Sequence, residues 1–393
     1  MSRGRLAAAP GSPELGLVFG PRTPSPAASR ALSRSRSARG QQGAAPRSSS
    51  RGRSPLPVGA SRADFKDGLL ALHASVFAMA QAKAEIEETV LPEDSLRVPP
   101  ELEAQLAASE EAFTREKKDV RRLLGERPVA TKARDRYGRL PLHIAAEERA
   151  EPEVVRWLLE VYPSGARQVD KYGELPIHGA VRERAESGVV RLLLEAYPNG
   201  AQIRGRLGFL PLHLAVDDFN ADPQVVQLLI DAYPFGAKER DEAGSGGELA
   251  LHIAVREGAA LAVVKALLKG HPEGAWDRGR FSRLPLHVAA EAAAEASIVR
   301  ILACAYPEAV RVKDSFGRLP LHLAMRGERP PDLGSVRTLL ERHRDGAHEA
   351  DRYGHLPLHA AAQRAADPAV VRLLLAEHPE GARRADQAGC LPL

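Results

Sequence analysis

Seven histidines recur at nearly constant spacing along this chain of 393 residues. Each ends the tetrapeptide Leu-Pro-Leu-His or a close variant, at intervals of 35, 35, 39, 35, 35 and 37 residues. Imidazole is the commonest metal ligand and a frequent general acid or base, so such a series could hold metal ions or transfer protons. The histidines are His143, His178, His213, His252, His287, His322 and His359.

The residues around these histidines favour neither kind of chemistry. A metal ion needs several ligands in one coordination sphere, and histidines one structural unit apart are poorly placed to share it. An aspartate also recurs before most of the tetrapeptides, but Gly205 and Gly279 replace it in two units, which a repeated ligand would not tolerate. No pairing of a nucleophile with a base stands out. We therefore predict that the chain is not an enzyme and has no metal ion or cofactor.

The period itself is more informative than the histidines. Self-similarity every 20–50 residues is typical of a solenoid, whose units bury their apolar faces only by stacking. In the unit that begins at Asp135, a turn leads to a short helix at Pro141, and Val154 to Leu159 form the apolar face of a second helix. The pattern predicts seven such units and a truncated eighth that ends at Leu391-Pro392-Leu393.

Charge divides the chain into a basic tail and a slightly acidic body. Residues 1–62 contain eleven arginines and one acidic residue, whereas residues 63–393 contain 44 basic and 50 acidic residues. The tail is rich in Ser, Pro and Gly and has no apolar periodicity, which predicts disorder. We expect a helical N-terminal segment at 63–118 and the repeat array, which begins with a degenerate cap, at 119–393.

The tail leaves several interpretations open. It is similar in composition to an organelle transit peptide, its arginines could bind phosphate groups, its Ser-Pro pairs could be phosphorylated, or it is a solvated linker. The two cysteines, Cys304 and Cys390, give no disulfide framework and favour a reducing, intracellular compartment, cytoplasmic or nuclear. No apolar stretch is long enough to span a membrane.

The repeated unit resembles the ankyrin repeat from about Asp119 to Leu393. The ankyrin signature is Thr-Pro-Leu-His-x-Ala in a unit of about 33 residues, and Pro-Leu-His-x-Ala occurs here at 141–145, 211–215, 285–289, 320–324 and 357–361. The resemblance implies an all-α, helix-turn-helix solenoid that binds partner proteins through its turn tips and concave face. It also implies that the seven histidines are structural and hydrogen-bond the backbone of adjacent units.

Two departures from the ankyrin pattern recur in this chain. Leucine takes the place of the threonine in every unit, from Leu140 to Leu391, and Ala250 takes the place of proline in one of them. Burial of a leucine outweighs a lost hydroxyl cap, so we predict a continuous ladder of buried leucines. The second departure is Tyr-Pro or His-Pro after the second helix, which lengthens the turn; Arg344 alone breaks this proline series.

Cationic and aromatic side chains recur in the predicted turns between units. Such side chains dominate protein interfaces, and a basic row on an acidic body favours an acidic protein partner. The alternative is that the rings pack between neighbouring turns and the charges are only solvated. The candidate binding residues are Arg136, Tyr137, Arg139, Lys171, Tyr172, Arg206, Phe209, Arg280, Phe281, Arg283, Phe316, Arg318, Arg352 and Tyr353.

The function predicted from the sequence is therefore a non-catalytic scaffold for protein binding. Two alternatives remain. The Arg/Ser tail could make the chain a regulator associated with nucleic acid. The array could also be the binding portion of a larger protein with further domains after residue 393.

Overall fold

The computed structural model describes residues 71–89, 100–242, 247–364 and 366–392. The tail at 1–62, predicted to be disordered, lies outside these ranges. The described residues are helical, apart from turns and one antiparallel bridge between Arg240 and Leu249, so the predicted all-α fold is confirmed. The helices are α1 (Ala71–Thr89), α2 (Pro100–Glu126), α3 (Pro141–Glu147), α4 (Pro152–Val161), α5 (Pro176–Arg182), α6 (Ser187–Ala196), α7 (Pro211–Ala215), α8 (Pro223–Ala232), α9 (Ala250–Glu257), α10 (Leu261–Gly270), α11 (Pro285–Glu291), α12 (Ala296–Ala305), α13 (Pro320–Ala324), α14 (Leu333–Arg342), α15 (Pro357–Gln363) and α16 (Pro368–Glu377).

The odd-numbered helices from α3 to α15, called inner helices below, begin in the repeated tetrapeptide. In all but α9 the first residue is proline, which costs no hydrogen bond at that position. The leucine before it has extended backbone and no hydroxyl to cap the helix. His143, at the third helical position, accepts through Nδ1 from the N–H of Leu140 at 3.1 Å, so the N-cap residue's own N–H is satisfied.

The even-numbered helices from α4 to α16, called outer helices below, are each ten residues long. Their third, fourth, seventh and eighth residues are apolar, with Ser335 the exception, and this spacing places four side chains on one face. In α4 these residues, Val154, Val155, Leu158 and Leu159, are all buried. Each outer helix packs on the inner helix of its own unit and on the outer helices of neighbouring units. The units therefore stack into a solenoid.

A short 3₁₀ helix follows each outer helix, usually in a shared Tyr/His-Pro-x-Gly-Ala pattern. The glycine is buried against side chains, since a Cβ on Gly200 would lie 3.3 Å from Tyr197 Cδ1 and 3.7 Å from Leu175 Cδ1. Arg344–Ala347 forms the same turn without proline. Proline thus favours this turn but is not required for it.

The leucine before the tetrapeptide proline is buried in seven units and exposed in the eighth. The first seven expose 2 % or less of their surface, whereas Leu391 is 55 % exposed. The predicted ladder is therefore wrong for its last member, where no further inner helix is described. Some of the buried leucines contact the 3₁₀ helix of their own unit: a Cβ on Gly274 or Gly346 would lie 3.5 and 3.4 Å from the Cδ1 atoms of Leu249 and Leu319.

Helices α1 and α2 pack together as a pair, with α1 against α3 and α2 against α4. His73 on α1 donates from Nε2 to the carbonyl oxygen of Arg139 at 3.1 Å, so it links this pair to the next turn. The boundary expected at 118/119 falls inside α2. The pair thus occupies the place of one further unit at the N-terminal end of the described stack.

No helix in the described ranges combines the length and apolar character needed to cross a membrane. The two cysteines are both exposed and free. Cys304 lies on α12, and Cys390 lies in the last turn.

Replacing Leu284 with threonine compares burial with hydroxyl capping directly. A threonine cap returns about 1 kcal/mol, but the substitution loses roughly 1.5–3 kcal/mol of apolar burial. We expect the free energy of unfolding to fall by about 1 kcal/mol, measured by urea denaturation with circular dichroism. The matched control Leu391→Thr, at the exposed position, should leave stability unchanged. A Leu284→Thr variant that is more stable than the parent would contradict this account.

Candidate functional site

The seven repeated histidines are buried, and each joins its own unit to the next. His143 accepts from Leu140 through Nδ1 and donates from Nε2 to the carbonyl oxygen of Glu174, 3.3 Å away in the next turn. His252 differs in one respect: its Nδ1 has no hydrogen-bond partner, and Leu249 pairs with Arg240 instead. The other Nε2 atoms donate to the carbonyl oxygens of Ile203, Glu239, Arg283, Val312, His355 and Cys390.

These contacts require a neutral imidazole with its proton on Nε2, because Nδ1 must accept. Burial favours the same form: it lowers the pKa of His143, His252, His287 and His322 to about 4. Among the described residues no three metal-ligating side chains come together. In this arrangement the histidines are hydrogen-bonding links between units.

Aspartate closes most of the turns that join the units. Asp135 Oδ1 accepts from the N–H groups of Tyr137 and Arg139, at 2.9 and 2.8 Å. In such turns only the fourth residue has a positive φ, as Gly138 does at 78°. In the turns where the carboxylate accepts these bonds, the third residue has no positive φ. The same pair of bonds is made by Asp170, Asp314, Asp351 and Asp386.

Two turns begin with glycine, and their third residue adopts a left-handed conformation. The φ angles are 67° at Leu207 and 57° at Phe281. A Cβ on Gly205 would lie 2.6 Å from His178 Cδ2, so the imidazole of the preceding unit takes the space of a side chain there. Left-handed backbone costs a bulky residue about 1–2 kcal/mol, yet Leu207 and Phe281 are 68 % and 43 % exposed. Both residues therefore combine a strained backbone with an exposed apolar side chain.

The third turn position forms a row of large apolar side chains, which we call the tip row. Tyr172, Leu207, Phe281 and Tyr353 are exposed, and the other two members are half-buried. The turn that begins at Asp241 carries an insertion and interrupts the row. The complete tip row is Tyr137, Tyr172, Leu207, Phe281, Phe316 and Tyr353.

Backbone hydrogen bonds join part of the tip row into a strip. Ser315 donates its N–H to the carbonyl oxygen of Phe281 at 2.9 Å, and Arg352 donates to Phe316 at 3.1 Å. The same bond links Lys171 to Tyr137 and Gln387 to Tyr353. In the described part of the chain the turns at Gly205, Asp241 and Gly279 donate no such bond to the turn before them. The tip row therefore has an N-terminal part and a connected C-terminal strip from Phe281 to Tyr353.

The candidate cations fall into two classes by turn position. Those at the second position are exposed, and Arg206 and Arg280 lie 5.0 and 4.7 Å from the ring centroids of Tyr172 and Phe281. Those at the fifth position are engaged in ion pairs, as Arg139 is with Asp135 at 2.9 Å. The second-position cations are Arg136, Lys171, Arg206, Arg280 and Arg352, and the fifth-position arginines are Arg139, Arg283 and Arg318.

Phe209 also occupies the fifth position rather than the tip. It is half-buried against the core, and its ring centroid lies 6.3 Å from that of His213. The exposed apolar residue of that turn is Leu207, which the sequence pattern did not single out. Its place two residues after Gly205, where other turns carry an aromatic ring, was the available signal.

The sequence comparisons now assign this geometry to a family. A family model described as ankyrin repeats in three copies matches residues 212–310 and 286–385, and one described as ankyrin repeats in many copies matches residues 123–180. Together the matches span more than half of the chain. The chain belongs to the ankyrin repeat family. Ankyrin repeats are generally modules for protein–protein interaction, and both matching models describe such repeats.

Two solved ankyrin repeat domains are similar to this chain. One belongs to Bcl-3, described as a unique member of the IkappaB protein family; it is 21 % identical, with a TM-score of 0.45, and the match covers 68 % of this chain and 96 % of that one. The human ASB11 domain is 19 % identical, with a TM-score of 0.45 and coverage of 69 % and 97 %. No curated protein matches the sequence.

Arginines just before the turns clamp neighbouring ankyrin units together, a role that the sequence pattern did not reveal. Arg204 Nη1 donates to the carbonyl oxygen of Gly208 in its own turn at 2.8 Å and to that of Arg240 in the next unit at 3.0 Å. Arg240 repeats this pattern with Gly247 and Arg278, at 2.7 and 2.8 Å. These arginines recur with the ankyrin period, which is the signal that the sequence offered.

Ion pairs inside the ankyrin units explain why the fifth-position charges are not free. In one unit Arg139 pairs with Glu147 at the end of the inner helix, at 2.6 Å. In the next the polarity is reversed, and Glu174 pairs with Arg182 at 2.6 Å. The same two positions hold Glu248 with Arg256 and Arg283 with Glu291. The charged residue at the fifth position therefore forms an ion pair with the inner helix of its own unit.

The buried histidines predict a loss of stability in mild acid. The pKa of His287 is about 4 in the folded chain and about 6.5 when unfolded, so the unfolded chain binds the proton more readily. The contribution of His287 to the free energy of unfolding is fully present above about pH 6.5 and is lost as the pH falls towards 4. At about 1.36 kcal/mol per pKa unit, one histidine contributes roughly 3 kcal/mol to this fall.

His287→Asn isolates this contribution. The variant should be less stable than the parent in urea at pH 7.5, because the links to Leu284 and Val312 are weakened. The difference in the free energy of unfolding between parent and variant should become smaller as the pH falls to 5, because only the parent must keep this imidazole neutral. His348→Asn, at an exposed position, is the control. A difference that stays constant with pH would show that the account is wrong.

Backbone strain at the tip predicts that Leu207→Asn stabilises the array. Asparagine tolerates the left-handed region better than leucine, and the exposed leucine side chain has little burial to lose. We expect the free energy of unfolding to rise by about 0.5–1 kcal/mol in urea denaturation. Tyr172→Asn, at the same turn position but without a positive φ, should not gain stability. An equal change in the free energy of unfolding in both variants would exclude backbone strain as the cause.

Proposed function

We propose that this ankyrin array binds an acidic partner protein through its tip row and the adjoining second-position cations. The observation that carries the proposal is the left-handed, exposed pair Leu207 and Phe281. Apolar side chains held outward at an energetic cost are most readily understood if a partner covers them.

Charge at the turn tips supports an acidic partner. The second-position cations are exposed, and none of them forms an ion pair with another described residue. An acidic segment would supply the missing carboxylates, which improves electrostatic complementarity and the association rate. Arginine beside an aromatic ring is also the combination enriched at interface hot spots. The fifth-position residues Arg139, Arg283, Arg318 and Phe209 are proposed to support the turns rather than contact the partner.

The C-terminal strip is the proposed main contact. Its backbone hydrogen bonds hold Phe281, Phe316 and Tyr353 in a fixed order. The ring centroids of Phe281 and Phe316 are 5.5 Å apart. Pre-organised side chains lose little entropy on binding. The unit at Asp241 carries Glu242 at the second position in place of a cation, so an acidic segment would end or detach there.

A peptide selection tests both the charge of the partner and the surface that binds it. Peptides selected from a random phage-displayed library on the parent chain should be enriched in Asp and Glu. Their affinity, measured by fluorescence anisotropy, should fall at least tenfold in Arg280→Ala/Phe281→Ala/Tyr353→Ala, because each residue is a hot-spot type worth about 1 kcal/mol or more.

The control uses exposed aromatics outside the tip row. Phe219 and Phe235 are 64 % and 63 % exposed, so Phe219→Ala/Phe235→Ala removes comparable apolar surface elsewhere. This control should bind the selected peptides as the parent does. Peptides without acidic enrichment, or equal losses in both variants, would refute the proposed surface. Circular dichroism checks that both variants keep the parent fold.

A further inference from the structure

A second set of cations lies on the outer helices, away from the turns. The fifth residue of the outer helix is basic in every unit except the one with α8, where it is Gln227. All six cations are exposed, and none forms an ion pair with another described residue. The cations are Arg156, Arg191, Lys265, Arg300, Arg337 and Arg372.

The N-terminal and C-terminal halves of this set differ in their nearby acids. In α4 and α6 the residue four places later, which faces the same side of the helix, is Glu160 or Glu195. From α10 onwards that position holds Lys269, Cys304, Glu341 and Ala376. Glu341 makes α14 the exception, whereas the fifth-residue cations of α10, α12 and α16 have no acidic residue at this spacing. We call Lys265, Lys269, Arg300, Arg337 and Arg372 the outer basic row.

The outer basic row has the geometry of a track for a linear polyanion. Packed helices lie about 8–10 Å apart, so four neighbouring outer helices space these charges over roughly 30 Å. Among the described residues, the one large apolar side chain exposed on these helices is Leu333, at the start of α14. Protein interfaces need aromatic or aliphatic anchors at their centre. A phosphodiester backbone needs only regularly placed cations.

We infer that the outer basic row binds the phosphodiester backbone of a nucleic acid without reading its sequence. Exposed lysines and arginines would neutralise phosphates and release counterions, which makes the affinity strongly dependent on salt. The row lies on the outer helices, whereas the tip row lies in the turns, so the two surfaces are separate.

The test measures binding of the full chain to fluorescein-labelled, mixed-sequence 20-nucleotide RNA and DNA by anisotropy at several salt concentrations. The variant Lys265→Gln/Lys269→Gln/Arg300→Gln/Arg372→Gln removes four cations that have no acidic residue three or four places away in the same helix. Its affinity at 0.1 M salt should fall at least tenfold. The slope of log K against log salt should become shallower by about 3, at roughly 0.7 per lost contact with a single strand.

The matched control is Arg156→Gln/Arg191→Gln, at the same helical position but beside Glu160 and Glu195. It should bind the oligonucleotides within about twofold of the parent. Parent-like binding by the quadruple variant would overturn the inference and place any binding elsewhere, for example in residues 1–62. The inference would also be overturned if both variants lost the same affinity for the oligonucleotides per cation removed. Poly-glutamate that displaces the oligonucleotide at equal charge concentration would assign the row to an acidic polypeptide instead.

Discussion

The stacking of the repeated units depends on the hydrogen bonds of a buried, neutral imidazole in each unit. Before every inner helix except α9, the histidine Nδ1 accepts a hydrogen bond from the N–H of the leucine at the N-cap, which is the role of the third helical residue in a capping box. The leucine position itself carries an apolar side chain instead of a capping hydroxyl. Leu249 and Leu319 pack beneath the 3₁₀ helix of their unit, against a glycine that leaves room for them. The two departures from the ankyrin pattern are therefore parts of one packing arrangement.

The same imidazoles also influence the candidate binding surface. In the turns that follow His178 and His252 the first residue is glycine, and a Cβ on Gly205 or Gly279 would come within 2.6 or 3.0 Å of an imidazole Cδ2. Without an aspartate carboxylate, the third residue of the turn is free to become left-handed, as at Leu207 and Phe281. The two left-handed turns thus coincide with this contact between units, whereas Tyr172 and Tyr353 are exposed from turns that begin with aspartate.

Periodicity predicted the units well because proline, the apolar spacing and the turn residues all repeat together. His73 was missed although Leu70-Ala71-Leu72-His73 matches Leu249-Ala250-Leu251-His252, because it lies 70 residues before His143, twice the usual interval. The interval is doubled because α1 and α2 are longer than the helices of the later units. Position within a turn was harder to predict: Phe209 and Leu207 are two residues apart, and only the backbone conformation shows which one is exposed.

Stacking through nearest neighbours also explains how the tip row can be interrupted without breaking the solenoid. Around Asp241 the chain carries an insertion and acidic residues, yet His213 still donates to Glu239 at 3.0 Å, and the arginine clamp passes from Arg204 through Arg240 to Arg278. The contacts that hold units together lie beneath the turn tips and between the helices, so the tips and the exposed side of the outer helices can vary from unit to unit. Each exposed surface can therefore change its chemistry along the stack while the units remain joined.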